Sequence, residues 1–397
     1  MANPAPVNVA FITSHPTQYH SPFFRVLSRE PGIDLTVCYC RDFGIGKTSL
    51  DPGFGTRISW DLPLLEGYRH IFFSNFSPRP GSGLAGQFNP GLIRWLLAER
   101  PDLVILHGWM TATNWMAAAA CRAAGIPLIL KGEGDLRRAR GAWRKSLRRA
   151  PLRFLTATAA AGLYSCSANR DYLASLGIPP DRLFFFPCAV DNEFFRRQAA
   201  APPEEPPLRR ELGLDPGTVI VLFSGKLIPR KRPLDLLAAF NRARFRSPAA
   251  LVFLGDGQLR AEIETGAEDS PGPVVVTGFV NQSGIGRYYR EADIFVLPSE
   301  WDPSPKAVNE AMNFSLPLLL SDGVGTARDL VRPEANGFVF PAGDVGRLRE
   351  LLETLAEDPD RRRRMGAESA GIVADWSYEN EAAGTAAAVA RAREGRR

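Results

Sequence analysis

Cysteine is scarce and without pattern in this chain. Its 397 residues include five, Cys38, Cys40, Cys121, Cys166 and Cys188. None forms a Cys-x-x-Cys pair, and an odd count offers no disulfide framework, so buried thiols in a reducing compartment are expected. No apolar run reaches the roughly 20 residues that a membrane-spanning helix needs. The first residues enter a strand with no charged-then-apolar leader. A cytoplasmic protein is therefore expected. No His, Cys, Asp or Glu cluster has metal-ligand spacing, so no metal and no cofactor are expected. Asp358-Pro-Asp360 reads instead as a helix start beside Arg361–Arg364. No nucleic-acid recognition motif accompanies the excess of positive charge.

Apolar residues make up 45% of the chain, enough for two cores, and the length suits two domains. The net charge of +5 is uneven: residues 1–197 carry 23 Lys/Arg against 14 Asp/Glu, and the remainder 25 against 29. A basic first half fits an anionic partner or simply a solvated basic surface. Short apolar strands, among them 7–13, 35–39, 103–107, 127–130, 161–165 and 183–186, alternate with helical patterns. Such alternation predicts a mostly parallel α/β sheet. Residues 41–90 are less regular and read as a long excursion over a binding face. The Pro-rich stretch 198–215 marks a linker, after which the alternation restarts. The expected order is a first doubly wound domain over 1–197 and a second over 216–375. A C-terminal helix, 376–397, is expected to pack back toward the first.

Two groups of residues in the second half carry chemistry. The segment Phe223-Ser-Gly-Lys-Leu-Ile-Pro-Arg-Lys231 follows a strand. Its Gly225 lets a ligand approach the backbone, and Lys226, Arg230 and Lys231 supply cations for phosphate oxygens. A solvated basic helix start is the plain alternative. The segment Asp302-Pro-Ser-Pro-Lys-Ala-Val-Asn-Glu310 places two carboxylates eight positions apart, after the strand 293–297. Loop acids at the carboxyl ends of a parallel sheet suit sugar hydroxyls, and the amides of Lys306 and Ala307 suit phosphate. Taken singly, Asp302 also fits a turn before proline and Glu310 a first-turn acid facing the helix dipole. Together the two groups point to an activated sugar.

Order and spacing across 219–340 resemble the donor domain of glycosyltransferase family 4. The resemblance is carried by the two segments above together with Leu251-Val-Phe-Leu-Gly-Asp-Gly257, Thr277-Gly-Phe-Val280, Ala292-Asp-Ile-Phe-Val-Leu-Pro-Ser299, Ala311-Met312 and Ser321-Asp322. It implies a GT-B fold, two Rossmann-like doubly wound domains facing across a cleft. It also implies retaining transfer of a sugar from a nucleoside diphosphate sugar. By resemblance, Lys226 and Lys231 lie on the donor diphosphate, Glu310 on the ribose, and Phe279 and Val280 beside the base. Asp302 stands where the family usually has glutamate, and Pro303-Ser304-Pro305 replaces a Gly-aromatic-Gly, which leaves Ser304 beside the donor. The first half resembles the family in layout only. There Lys131-Gly-Glu-Gly-Asp135 lacks the histidine of many relatives, and Glu133 is the candidate for its role. His15, Tyr19 and His107 are weaker candidates for the acceptor site.

Two further segments need weighing. Gly44-Ile-Gly-Lys-Thr-Ser49 looks like a P-loop, but Arg41 stands where that motif requires glycine. Residues 136–155 hold eight Lys/Arg and an apolar stripe. They suit either a helix packed on its own domain or peripheral contact with an anionic membrane, which a lipid-linked acceptor would favour. The expected partners are thus a nucleotide-sugar donor and a glycan, lipid-linked or small-molecule acceptor. The alternatives are a non-catalytic sugar-nucleotide-binding protein, or a sugar-nucleotide epimerase or phosphorylase on the same architecture.

Overall fold

The computed structural model describes all residues except 1–4, 46–48, 52, 82, 137–150, 203–206 and 395–397. The P-loop-like Gly46–Thr48 and most of the basic segment 136–155 lie outside the described residues.

In chain order the strands are β1 (Val7–Thr13), β2 (Ile33–Tyr39), β3 (Ser49–Asp51), β4 (Thr56–Ile58), β5 (His70–Phe72), β6 (Leu103–His107), β7 (Leu128–Lys131), β8 (Ala161–Tyr164) and β9 (Leu183–Phe185). They continue as β10 (Val219–Ser224), β11 (Ala249–Leu254), β12 (Val274–Val276), β13 (Ile294–Leu297), β14 (Leu318–Ser321) and β15 (Gly337–Phe340). Two all-parallel sheets result, ordered β5-β2-β1-β6-β7-β8-β9 and β12-β11-β10-β13-β14-β15. Their central strands are continuous apolar runs because helices cover both faces. Every residue of β10 and β11 is buried. Both sheets are doubly wound, as expected from the alternation. In each, strand order reverses once, between β1 and β6 and between β10 and β13, and loops at such a reversal are where these sheets bind ligands.

By contacts the chain forms two units. One holds 1–47, 63–187 and 378–397; the other holds 48–62 and 188–377. Two boundaries differ from those expected, and neither concerns the C-terminal helix. The C-terminal helix Tyr378–Glu394 belongs to the first unit, where it lies against the helix His20–Leu27 and strands β8 and β9. Residues 188–197 belong to the second, because the helix Asn192–Ala200, capped by Asp191, buries Phe195 beside Phe314. That helix also takes the first residues of the stretch read as linker. The other departure is the β3–β4 hairpin. It is an antiparallel pair from the irregular 41–90 region, yet it belongs to the second unit.

The five cysteines are all buried and form no disulfide. Burial pushes the Cys121 thiol up to about 12, so it stays protonated and inert.

One side chain holds much of the remaining 63–90 stretch in the first unit. Asn89 is fully buried, and its Nδ2 lies 3.0 Å from the carbonyl oxygens of Cys40, Phe73 and Ser74. Its Oδ1 accepts from the Thr113 hydroxyl at 2.8 Å. Asn89→Ala would leave several buried acceptors without a donor. It should cost about 2–4 kcal/mol in chemical denaturation; a loss below about 0.5 kcal/mol would show that the asparagine is dispensable.

Candidate functional site

The second sheet brings Arg230, Lys231 and Asp302 together from the two loops that flank its reversal. Gly225 directly follows β10 with φ +144°, a backbone region that side chains rarely adopt. A Cβ placed there would stand 3.5 Å from Lys231 Nζ, so the ammonium lies over the glycine. A 3-10 turn, Pro229–Lys231, carries Arg230 and Lys231 toward the loop after β13. Lys231 donates to the Asp302 carboxylate. Arg230 Nη1 is 3.9 Å from the other Asp302 oxygen and donates to the Trp301 carbonyl at 3.1 Å. Only 11% of the Lys231 and 9% of the Asp302 side chain is exposed. Neither charge would tolerate loss of the other.

The loop bearing Asp302 is fixed on its far side. The Asp302 amide donates to Gly323 O at 3.0 Å, and the Gly325 amide donates to Asp302 O at 2.7 Å. A Cβ on Gly325 would come within 2.1 Å of the Pro303 carbonyl. Pro303-Ser304-Pro305 thus runs against bare backbone. Cys188 Sγ donates to the Ser304 carbonyl at 3.1 Å, and Lys306 Nζ donates to Ala189 O at 2.9 Å. Lys306 and Ala307 open the helix Lys306–Asn313 after Pro305.

Glu310 stands in the second turn of that helix, which excludes the simple first-turn reading. It is buried and accepts from the Tyr289 hydroxyl at 2.7 Å. Tyr289 is itself fully buried and stacks on Phe314, with ring centroids 5.4 Å apart.

Lys226 has a partner that sequence reasoning missed. Its Nζ lies 2.7 and 2.9 Å from the two oxygens of Asp51, on the β3–β4 hairpin, and 4.7 Å from the centroid of the Phe54 ring. Burial would raise the Asp51 carboxyl. The hydrogen bond and charge of Lys226, together with the Gly53 and Phe54 amides, outweigh it and hold the group below the usual carboxylate range. Phe279, half-buried after β12, meets Phe54 edge-on at 5.1 Å and Trp60 at 6.1 Å. Val280 follows it into the helix Gln282–Glu291, whose cap Asn281 donates to the Ser59 carbonyl at 2.7 Å. Asp51-Pro-Gly is a legible turn, but nothing local signals a partner 175 positions away.

In the first unit His107 ends β6. Its Nδ1 is 3.2 Å from Thr13 Oγ1 and its Nε2 is 3.1 Å from Lys131 Nζ. Lys131 is buried, lies 3.4 Å from Glu133 Oε1 and faces the Phe186 ring at 4.9 Å. Asn169 Nδ2 donates to the Gly132 and Gly134 carbonyls at 2.8 Å each, fixing both flanks of Glu133. His107 and Glu133 are thus joined through Lys131, which sequence reasoning passed over. His15 lies beside Ser14 and Phe43, and Tyr19 caps the helix His20–Leu27. Among the described residues no group of three or more His, Cys, Asp or Glu could hold a metal ion. No helix there is long and apolar enough to cross a membrane.

Comparison with known proteins gives these features a context. Residues 204–370 match the family model for glycosyl transferases group 1, and residues 63–189 the model for a glycosyl transferase 4-like domain. The chain is 30% identical over 180 residues to the GDP-mannose-dependent monoacylated alpha-(1-6)-phosphatidylinositol monomannoside mannosyltransferase of Corynebacterium glutamicum, covering 43% of this chain and 47% of that one. It therefore spans about half the length of that relative. It is 26% identical over 329 residues to the D-inositol 3-phosphate glycosyltransferase of Thermomonospora curvata, covering 75% of each. Among solved structures, HepE of Anabaena in complex with UDP and glucose aligns with TM-score 0.73 at 16% identity, over 97% of this chain and 99% of that one. Sucrose-phosphate synthase from Thermosynechococcus elongatus aligns with TM-score 0.69 at 18% identity, over 99% and 98%. These likenesses show the GT-B fold.

Tyr289→Phe tests the Glu310 arrangement because it keeps the stacked ring and removes only the hydroxyl. It should cost about 1–2 kcal/mol of stability and weaken nucleoside diphosphate binding several-fold by calorimetry. Lost stability with unchanged binding would leave Tyr289 a purely structural residue.

Proposed function

Since the chain belongs to glycosyltransferase family 4 and has its GT-B fold, we propose that it transfers a sugar from a nucleoside diphosphate sugar to an acceptor, with retention at the anomeric carbon. The observation that carries this reading is the joining of Lys231, Arg230 and Asp302 at the reversal point of the second sheet. Cations from the β10 loop meet a carboxylate from the β13 loop at the place where such sheets bind ligands.

In this reading the donor diphosphate lies along Lys226 and Lys231, over Gly225. Charge grows on the leaving diphosphate as the anomeric bond breaks, and preorganised ammonium groups in a partly buried site stabilise it. Asp302 plays two parts. It orients Lys231, and it offers an acceptor oxygen to a hydroxyl of the donor sugar. Its side chain is shorter than the usual glutamate, and the direct bond to Lys231 shows that it reaches the cation. Glu310, fixed by Tyr289, receives the ribose diol. Phe279 and Val280 border the base. No carboxylate is assigned as a covalent nucleophile; attack on the face of the departing diphosphate, with a phosphate oxygen taking the acceptor proton, accounts for retention.

Glu133 and His107 are proposed for the acceptor side, since His107 ends β6, Glu133 follows the adjacent β7 by two residues, and the two are linked by Lys131. The acceptor class we propose is a glycan, lipid-linked or small hydroxyl compound, and the protein works in the cytoplasm or at the inner membrane face. The relatives support this reading: the Corynebacterium mannosyltransferase is named for a phosphatidylinositol mannoside and the Thermomonospora enzyme for inositol phosphate. HepE is described with UDP and glucose bound. None of these comparisons favours the binding-only, epimerase or phosphorylase alternatives.

Lys231→Ala should lower kcat/KM for the donor at least ~100-fold, equivalent to about 2.7 kcal/mol of transition-state stabilisation. Asp302→Asn should lower it less, since it keeps an acceptor oxygen. Near-normal transfer by the Lys231 variant in a sugar-nucleotide turnover assay would refute the assignment.

A further inference from the structure

The β3–β4 hairpin is foreign to the unit it joins. It comes from the first half of the chain, yet it is fastened to the second unit at four places. Asp51 binds Lys226. Phe54 and Trp60 pack on Phe279. The Ser59 carbonyl accepts from Asn281, and Asp61 accepts from Ser283. The first two anchors are the groups assigned above to the donor diphosphate and base.

We propose that the hairpin is part of the donor site: Asp51 is a built-in competitor that holds Lys226 until the donor diphosphate takes the lysine from it. This rests on the reading of Lys226 as a diphosphate ligand.

Three observations support the exchange. Both Asp51 oxygens contact the ammonium, as two oxygens of a diphosphate would. The hairpin is also shaped around the lysine. A Cβ on Gly53 would stand 2.6 Å from Lys226 Cδ and 2.7 Å from its Nζ, so the lysine side chain lies directly against the bare glycine. Finally, Asp51 keeps its own place without Lys226. Its Oδ1 accepts from the Gly53 amide at 2.7 Å and the Phe54 amide at 3.2 Å, a local turn that does not need the cation. The lysine, on a flexible four-carbon stem, can therefore change partner while the hairpin stays docked through Phe54, Trp60 and Ser59. The carboxylate sets a threshold. An anion gains Lys226 only if it outcompetes a fixed negative charge, which favours a diphosphate over a single weakly charged group.

Asp51→Asn separates charge from structure, because the amide oxygen can still receive both turn amides. Binding of UDP, GDP and inorganic pyrophosphate should be measured by calorimetry on the full chain at one moderate ionic strength. Asp51→Asn should bind the probes about five-fold more tightly than the unaltered protein, equivalent to ~1 kcal/mol. In a Lys226→Ala background the same substitution should have no such effect. Equal or weaker binding by Asp51→Asn, where Lys226→Ala alone weakens binding, would overturn the proposal and leave the diphosphate reading standing. Should Lys226→Ala bind all three probes as the unaltered protein does, or should no protein bind any of them, both would fall.

Discussion

The ion pair between Lys231 and Asp302 is the constraint on which the candidate site depends. Each residue sits on a loop that leaves the sheet at its carboxyl edge, on either side of the strand-order reversal. Taken alone, each loop would bury an unbalanced charge. Together they neutralise each other, and backbone bonds complete the junction: the Glu300 amide donates to Arg230 O at 2.9 Å, and Asp302 is tied to Gly323 and Gly325. A buried pair of this kind is weak evidence for net stability, since desolvating two ions offsets most of their attraction. Its value lies in position. It holds an ammonium rigidly over Gly225, and a preorganised cation avoids reorganisation when charge develops nearby.

The same logic extends to Lys226, with one difference. Asp302 belongs to the loop it braces and stays buried beside its lysine, whereas Asp51 arrives on a separate hairpin and pairs with a lysine about one-third exposed. An ion pair open to water is worth little net. Exchange of its carboxylate for a better anion is correspondingly cheap. One lysine is thus fixed and the other exchangeable.

Much of the fold and part of the site were legible in the sequence. Continuous apolar runs such as Val219–Ser224 and Ile294–Leu297 are the mark of strands buried on both faces, and they gave both sheets. Strand-then-glycine-then-cation placed Lys226, Arg230 and Lys231 after β10, because phosphate chemistry requires small residues next to charges. What escaped was each pairing with a residue outside those segments. Tyr289 looks like any apolar-face aromatic; its hydroxyl matters only because Glu310 is folded against it. Lys131 ends a strand and reads as a change from apolar to polar. The hairpin 49–58 reads from sequence as part of an irregular excursion, since three-residue strands lie below any periodicity, and its place in the second unit follows from aromatic contacts with Phe279 that no local pattern encodes.

Lys131 also engages the first unit's histidine. An ammonium donates hydrogen bonds and accepts none. With Lys131 Nζ 3.1 Å from His107 Nε2, that nitrogen is the acceptor. The ring proton therefore sits on Nδ1, which faces Thr13 Oγ1 at 3.2 Å. In this arrangement the ring nitrogen that faces Lys131 is already engaged. Glu133 differs. It shares the lysine but keeps about one-third of its side chain exposed, with its loop clamped on both flanks by Asn169. Of the two candidates at this edge of the sheet, the carboxylate is the one that we propose meets a ligand. The histidine, through Lys131, is placed to hold it there.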